Sequence, residues 1–113
     1  MIEAPSGRLA YGLPLSDLKR IVAVLAQEPA IQRVILFGSR AKGNFRDGSD
    51  IDLCLEAPTL DSGAVSRLAS DLDDLLLPWK IDLILRHEIR HPALVDHIQR
   101  AGIPLAIGMA AAQ

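Results

Sequence analysis

A single cysteine, Cys54, stands in a chain of 113 residues, so an internal disulfide framework is excluded. It lies in an apolar run with no basic neighbour to lower its pKa, and it reads as a small buried hydrophobe. Aromatic residues make up only 4% of the chain, so a core drawn from its 50% apolar content must be built from Leu, Ile, Val and Ala. No stretch approaches the ~20 apolar residues of a membrane-crossing helix. The opening MIEAPSGR lacks the apolar segment of a signal peptide, and a cytoplasmic location is expected. Positive charge is not in excess either. The formal net charge is −2, whereas phosphate-backbone binding needs a clearly basic surface, so a nucleic-acid partner is disfavoured. No repeat, linker or low-complexity segment is visible, and the length suits one domain with one core.

What is present is ordered punctuation. Residues 1–13 hold Pro5, Gly7 and Gly12 without periodicity and read as a loose lead-in, with the domain proper over 14–107 and a tail over 108–113. From Pro14, the residues Leu15, Leu18, Ile21, Val22 and Leu25 recur at helical intervals, with Ser16 and Asp17 as capping candidates and Pro29 as the stop. A second helix is expected over 61–77, capped by Asp61 or Ser62 and ended by Pro78. A third is expected over 92–101, with Pro92 in its first turn and Gly102 as terminator. The segment IPLAIGMAAAQ allows either a further short strand before a frayed tail or burial against a partner. Asp71, Asp73 and Asp74 diverge around the second helix and read as a solvated or partner-facing side, not a metal cluster. His97, Gln99 and Arg100 read as exposed. The element order predicts an α/β (α+β) domain: a small mixed sheet with helices packed against it and the acids gathered at one end.

The informative stretch is VILFGSRAKGNFRDGSDIDLCL, residues 34–55. An apolar strand-like run ends at Gly38-Ser39, and a second begins at Asp50, where Asp50 and Asp52 alternate with Ile51 and Leu53. Strand side chains alternate faces, so both carboxylates project from one face, roughly 6 to 7 Å apart at Cα. Two acids so placed are relieved by Mg²⁺, which binds through one or two carboxylates and substrate phosphates. Gly38 permits close approach of backbone to an oxyanion, Ser39 adds a hydroxyl, and a helix starting near Arg40 adds free N–H groups. Arg40 and Lys42 add positive charge, either as phosphate contacts or as plain surface charge. In KIDLILR, residues 80–86, Asp82 is an acid opposite the apolar Ile81, Leu83 and Leu85. On its own it is either an edge-strand surface residue or a third member of the acid set.

Gly38-Ser39, ten intervening residues and then Asp50-Ile51-Asp52 resemble the signature of the nucleotidyltransferase superfamily that includes DNA polymerase beta. The string GSRAKG…SDIDL is similar to the minimal nucleotidyltransferases, which work beside an all-helical partner of HEPN-like or substrate-binding type; the likeness spans about residues 13–104. The resemblance implies a nucleotidyltransferase fold and Mg²⁺-dependent transfer of a nucleoside monophosphate from an NTP, expected to be ATP, to a hydroxyl with release of pyrophosphate. It implies that Asp50, Asp52 and Asp82 are catalytic and hold Mg²⁺, two ions in all. Gly38, Ser39, Arg40 and Lys42 would grip the phosphates, and Asp82 would complete the second metal site or take the hydroxyl proton. It further implies a separate helical subunit encoded next door, in a homodimer or heterotetramer.

Two other readings stand beside the two-subunit transferase. One is an antitoxin that adenylylates a helical toxin partner by the same chemistry. The other is a non-catalytic subunit that masks such a partner; that role has no physical need of three carboxylates and a Gly-Ser corner. The zinc-protease pattern H-E-x-x-H is also met, by His87–His91, but a strand precedes it and Pro92 follows, so the continuous helix it needs is not expected.

Overall fold

The computed structural model describes residues 9–105. Its first element corrects the loose lead-in expected through residue 13. Strand β1 (Leu9–Ala10) pairs antiparallel with β2 (Leu13–Pro14) across Tyr11 and Gly12. Both turn residues have positive φ, 58° and 77°, as a two-residue hairpin turn matched to strand twist requires. Strands this short show no period in sequence, yet Leu13 is fully buried. Residues 1–8 and the expected tail lie outside the described residues.

Helix α1 (Leu15–Ala26) follows directly, with Pro14 at its N-cap and φ already near the helical value at −54°. No side chain caps it, so Ser16 and Asp17 are first-turn residues and not caps; Asp17 still places negative charge at the positive end of the helix. Leu18, Ile21, Val22 and Leu25 form its buried face. Burying each such side chain is worth about 1.5–3 kcal/mol.

A four-stranded mixed sheet carries the rest: β3 (Arg33–Phe37), β4 (Ile51–Glu56), β5 (Ile81–Leu85) and β6 (Ile103–Leu105), in the order β5-β4-β3-β6. The β4–β5 pair is parallel, and the β3–β4 and β3–β6 pairs are antiparallel. Between the strands run a one-turn helix, α2 (Ser39–Lys42), and two longer ones, α3 (Ser62–Asp73) and α4 (Pro92–Ala101). Val34, Leu36, Leu53, Leu55 and Leu85 join α1 and α3 in the larger core. Ile35, Phe37 and Cys54 meet Ile98 of α4 on the opposite face. The expected α/β architecture is thus realised with helices on both faces, and β6 is the short strand that the end of the chain allows. Cys54 is fully buried, and that burial pushes its thiol up to about 11, as befits a core residue.

Helix α3 is capped by Asp61, whose Oδ1 accepts from Ala64 N–H at 2.9 Å. It ends four residues before Leu77, and Leu76 takes a left-handed φ of 56° at 89% exposure. Pro78 bars helical geometry just before it, so the chain turns early. Asp71, Asp73 and Asp74 lie towards this end, and all three are exposed. Helix α4 begins after an extended His91, and His87 lies in a single 3₁₀ turn, Arg86–Glu88. The two histidines therefore share no helix, and the zinc-protease geometry is absent.

Candidate active site

The acids sit where three strands come level. Asp52 is the register partner of Phe37 on β3 and of Asp82 on β5. Neighbouring strands lie about 4.7–4.9 Å apart, so the Asp52 and Asp82 side chains rise side by side from the α4 face of the sheet. Asp50 stands immediately before β4, one residue outside the strand that the alternation suggests, and it is exposed. Partial burial, then the negative charge of Asp82, then that of Asp50 raise the pKa of Asp52, and the Lys80 ammonium only partly opposes them. Lys80 Nζ lies 3.6 Å from Asp82 Oδ1, but with both side chains largely exposed this pair contributes little. Among the described residues, no three His, Cys, Asp or Glu side chains form a ready-made metal cage, so Asp50, Asp52 and Asp82 are not a preassembled three-ligand site.

Gly38 and Ser39 abut this row. Gly38 has φ 77° and ψ −155°, a backbone region open almost only to glycine, and a Cβ there would collide with Asp52 Oδ2. The corner therefore touches the carboxylate because it has no side chain. Ser39 opens α2, which closes through Lys42 N–H to Gly38 O at 3.1 Å and Gly43 N–H to Ser39 O at 2.9 Å. Gly43 stops it with φ 84°. The first-turn N–H groups of so short a helix have no partner within it.

Arg40 does not serve this corner as a phosphate contact. Its side chain is 2% exposed and points into the protein. Nε donates to Ser49 O at 3.2 Å, Nη1 to Tyr11 O at 2.9 Å, and Nη2 to Asp47 O and Ser49 O at 3.1 and 2.9 Å. The guanidinium also lies 5.1 Å from the Phe45 ring centroid and 5.8 Å from that of Trp79. Burial lowers its pKa while Asp47 opposes the shift, and an arginine remains charged throughout. Arg40 thus ties the β1–β2 hairpin to the loop that delivers Asp50, and Trp79 Nε1–H reinforces that loop by donating to Asp47 O at 2.9 Å. Lys42, by contrast, is exposed and free to meet a ligand.

His97, expected to be exposed, is half-buried and belongs to the site. Its Nε2 accepts from Gly38 N–H at 3.0 Å, and its ring meets Phe37 edge-on, centroids 6.3 Å apart. A separation of 59 residues hides this contact from any local pattern. An apolar cavity of about 440 Å³ between α3, β5 and α4, lined by Val65, Leu83, Leu85, Ile89 and Leu94 among others, holds none of the acids and lies apart from the chemistry.

The family model described as "Polymerase beta, Nucleotidyltransferase" matches residues 19–107, a span that contains the corner and all three acids. The chain belongs to this nucleotidyltransferase family. Within it, the chain is 37% identical over 70 residues to a probable protein adenylyltransferase MntA of Haemophilus influenzae, a match covering 60% of each. It therefore spans less than two thirds of that relative's length. The nucleotidyltransferase fold is similar to that of a toxin–antitoxin solved with AMP-PNP: TM-score 0.64, 27% identity, 85% of this chain and 81% of that one. It is also similar to a chain of a complex between tri-AMPylated Shewanella oneidensis HEPN toxin and MNT antitoxin: TM-score 0.59, 28% identity, coverage 81% and 70%.

Proposed function

We propose that this chain is an antitoxin of the minimal nucleotidyltransferase kind, which transfers AMP from ATP to a hydroxyl on a helical HEPN-type toxin partner and releases pyrophosphate. The observation that carries the reading is the Asp52–Asp82 pair, held in register on adjoining strands against the Gly38–Ser39 corner. The likeness to an AMPylated toxin with its antitoxin, and to a complex solved with AMP-PNP, supports the choice of acceptor and nucleotide. A purely masking subunit would gain nothing from stacking acids at a cost in electrostatic repulsion. A cytoplasmic setting and a heteromeric assembly with the partner belong to the same reading; among the described residues no helix is long and apolar enough to cross a membrane.

The donor set fits Mg²⁺. Carboxylate oxygens are hard ligands, the Asp52 charge is under-compensated, and Mg²⁺ commonly binds through one or two carboxylates completed by substrate phosphates and water, so no closed protein cage is needed. Asp50 and Asp52 would hold it, with Asp82 completing a second position. When bound, it neutralises the triphosphate and favours displacement at phosphorus. The chain's own groups do the remainder. Ser39 presents its N–H and hydroxyl to the β and γ phosphates, Gly38 lets the backbone approach them because it has no side chain, and Lys42 balances charge as pyrophosphate leaves. Asp82, paired with Lys80 and partly exposed, accepts the proton of the attacking hydroxyl. The hydroxyl oxygen bonds to the α-phosphorus, the bond between that phosphorus and the α–β bridging oxygen breaks, and pyrophosphate carries away the electron pair.

Intact-mass spectrometry of the chain co-expressed with its helical neighbour, incubated with Mg²⁺ and each NTP in turn, tests the proposal. A gain of whole AMP units on the partner, absent with Asp82→Ala or with EDTA, is expected. Unmodified partner together with no nucleotide binding by the complex would overturn it.

A further inference from the structure

Gly38 occupies a backbone state open almost only to glycine, and because glycine has many other states its surroundings must hold it there. Two contacts do so. On one side Asp52 Oδ2 fills the place that a Cβ would take, and on the other its N–H donates to His97 Nε2 at 3.0 Å. The second contact bridges the corner to α4, on the far side of the sheet from α1 and α3, and the edge-on packing of His97 against Phe37 fixes the ring that supplies the acceptor. For Nε2 to accept, it must carry its lone pair, which puts the ring proton on Nδ1. His97 also forms part of the wall of a cavity of about 470 Å³ that it shares with Lys42, Ala93, Asp96, Arg100 and Ala101, where Arg100 and Asp96 are ion-paired at 3.0 Å. The hydrogen bond to Gly38 is the polar contact that accounts for the placement of His97 at the corner.

From this geometry we infer that His97 is a positioning residue for the nucleotide. By accepting from Gly38 N–H it fixes the Phe37–Gly38 peptide plane, and with it the direction in which Ser39 presents its own N–H and hydroxyl. This rests on the reading of the Gly38–Ser39 corner as the triphosphate grip. His97 touches neither the reacting phosphorus nor, in this arrangement, the carboxylates. Its loss therefore weakens grip on the ground-state triphosphate more than it slows the chemical step. A buried histidine serving only to fill space behind Phe37 would be replaceable by a ring of similar size, whereas a positioning acceptor is replaceable by another acceptor at the same reach, such as the Oε1 of glutamine.

The test is titration of the full chain with Mg–AMP-PNP for the unsubstituted protein, His97→Phe, His97→Ala and His97→Gln, with melting curves and transfer kinetics on each. His97→Phe and His97→Ala are expected to lose about tenfold in affinity, the order expected for one lost hydrogen bond. The loss should appear in KM with kcat changed by less, and His97→Gln should recover most of it. Equal affinity in folded His97→Phe and the unsubstituted protein would overturn the inference, as would His97→Gln binding no better than His97→Phe. Failure of the unsubstituted protein itself to bind AMP-PNP would instead defeat the triphosphate reading, and this proposal with it. Should the Phe and Ala variants not fold, a scalar coupling across Gly38 N–H···Nε2 in the ¹⁵N-labelled unsubstituted protein decides: its presence supports the assignment and its absence removes it.

Discussion

Two charged groups on neighbouring segments of the fold are treated in opposite ways. Arg40 is buried, its guanidinium spent on carbonyls of Tyr11, Asp47 and Ser49 and flanked by two aromatic faces. Asp52 is half-buried among other acids, with the lysine at position 80 as its relief. The first is a charge whose every demand is met by the fold, and it makes the fold rigid. The second is a charge whose demands the fold leaves open, as the proposed function requires of a group that meets a cation. Stability and reactivity are adjacent here but assigned to different residues, and substitutions should separate them.

The largest separation is expected at Asp52. Asp52→Asn should lower transfer at least about 10³-fold, an effect comparable with losing a principal electrostatic contact to the transition state. The same variant should melt at a higher temperature than the unsubstituted protein at neutral pH, because it removes a partly buried charge and, with it, the repulsion from Asp82 and Asp50. A transfer assay beside a melting curve reads both, and a lower melting temperature would break the contrast. Arg40→Met is the mirror case. It leaves the part-buried carbonyls of Tyr11 and Ser49 without their donors and should cost about 3 kcal/mol, seen as a lower urea midpoint at unchanged slope, with Arg40→Lys intermediate because an ammonium cannot reproduce the fork.

Gly38→Ala strikes both sides at once. The methyl group meets Asp52 Oδ2 and the backbone is strained, so a stability loss of about 1–3 kcal/mol should accompany loss of nucleotide binding in the same titration. A smaller effect follows from pH. An acid whose folded-state pKa lies above its unfolded value binds more protons when folded, so its contribution falls as pH rises from the unfolded to the folded pKa, and the full penalty remains above that window. Melting temperature should thus drop across that rise in the unsubstituted protein and drop less in Asp52→Asn, while transfer activity rises as Asp52 ionises. The smallest expected effect is Lys80→Met, which removes the opposing cation and should move the acidic limb of the activity profile slightly towards higher pH with stability changed by no more than about 0.5 kcal/mol.

Much of this arrangement is legible in the order of the amino acids. Alternation sets Asp52 on the face opposite Ile51 and Leu53, although Asp50 falls one residue outside the strand, the prolines mark where helices must stop, and Asp61 is readable as a cap because a short acceptor before an apolar helical pattern has a local partner. Asp82 needs the family resemblance, since nothing in KIDLILR says which strand lies beside it. Arg40 misleads, because a cation beside a Gly-Ser corner looks the same in sequence whether it faces phosphate or carbonyl. Only the approach of residues 11, 47 and 49 decides, and the nearest hint is two aromatic rings, Phe45 and Trp79, in a chain that has few. His97 escapes a local reading for the same reason of distance, and the β1–β2 hairpin escapes it because two-residue strands have no period to read.

The level register of Asp52 with Asp82 has a consequence for folding fidelity as well. Side chains alternate with period two, so a slip of one residue between β4 and β5 would set Asp82 level with Ile51 or Leu53, in line with the dry leucine-rich face. An ionised carboxylate buried there without a partner is among the costliest errors a small domain can make. The residues that build the row of acids therefore also proofread the strand pairing, and a chain with Asp52 and Asp82 out of register is one that folds at a heavy cost.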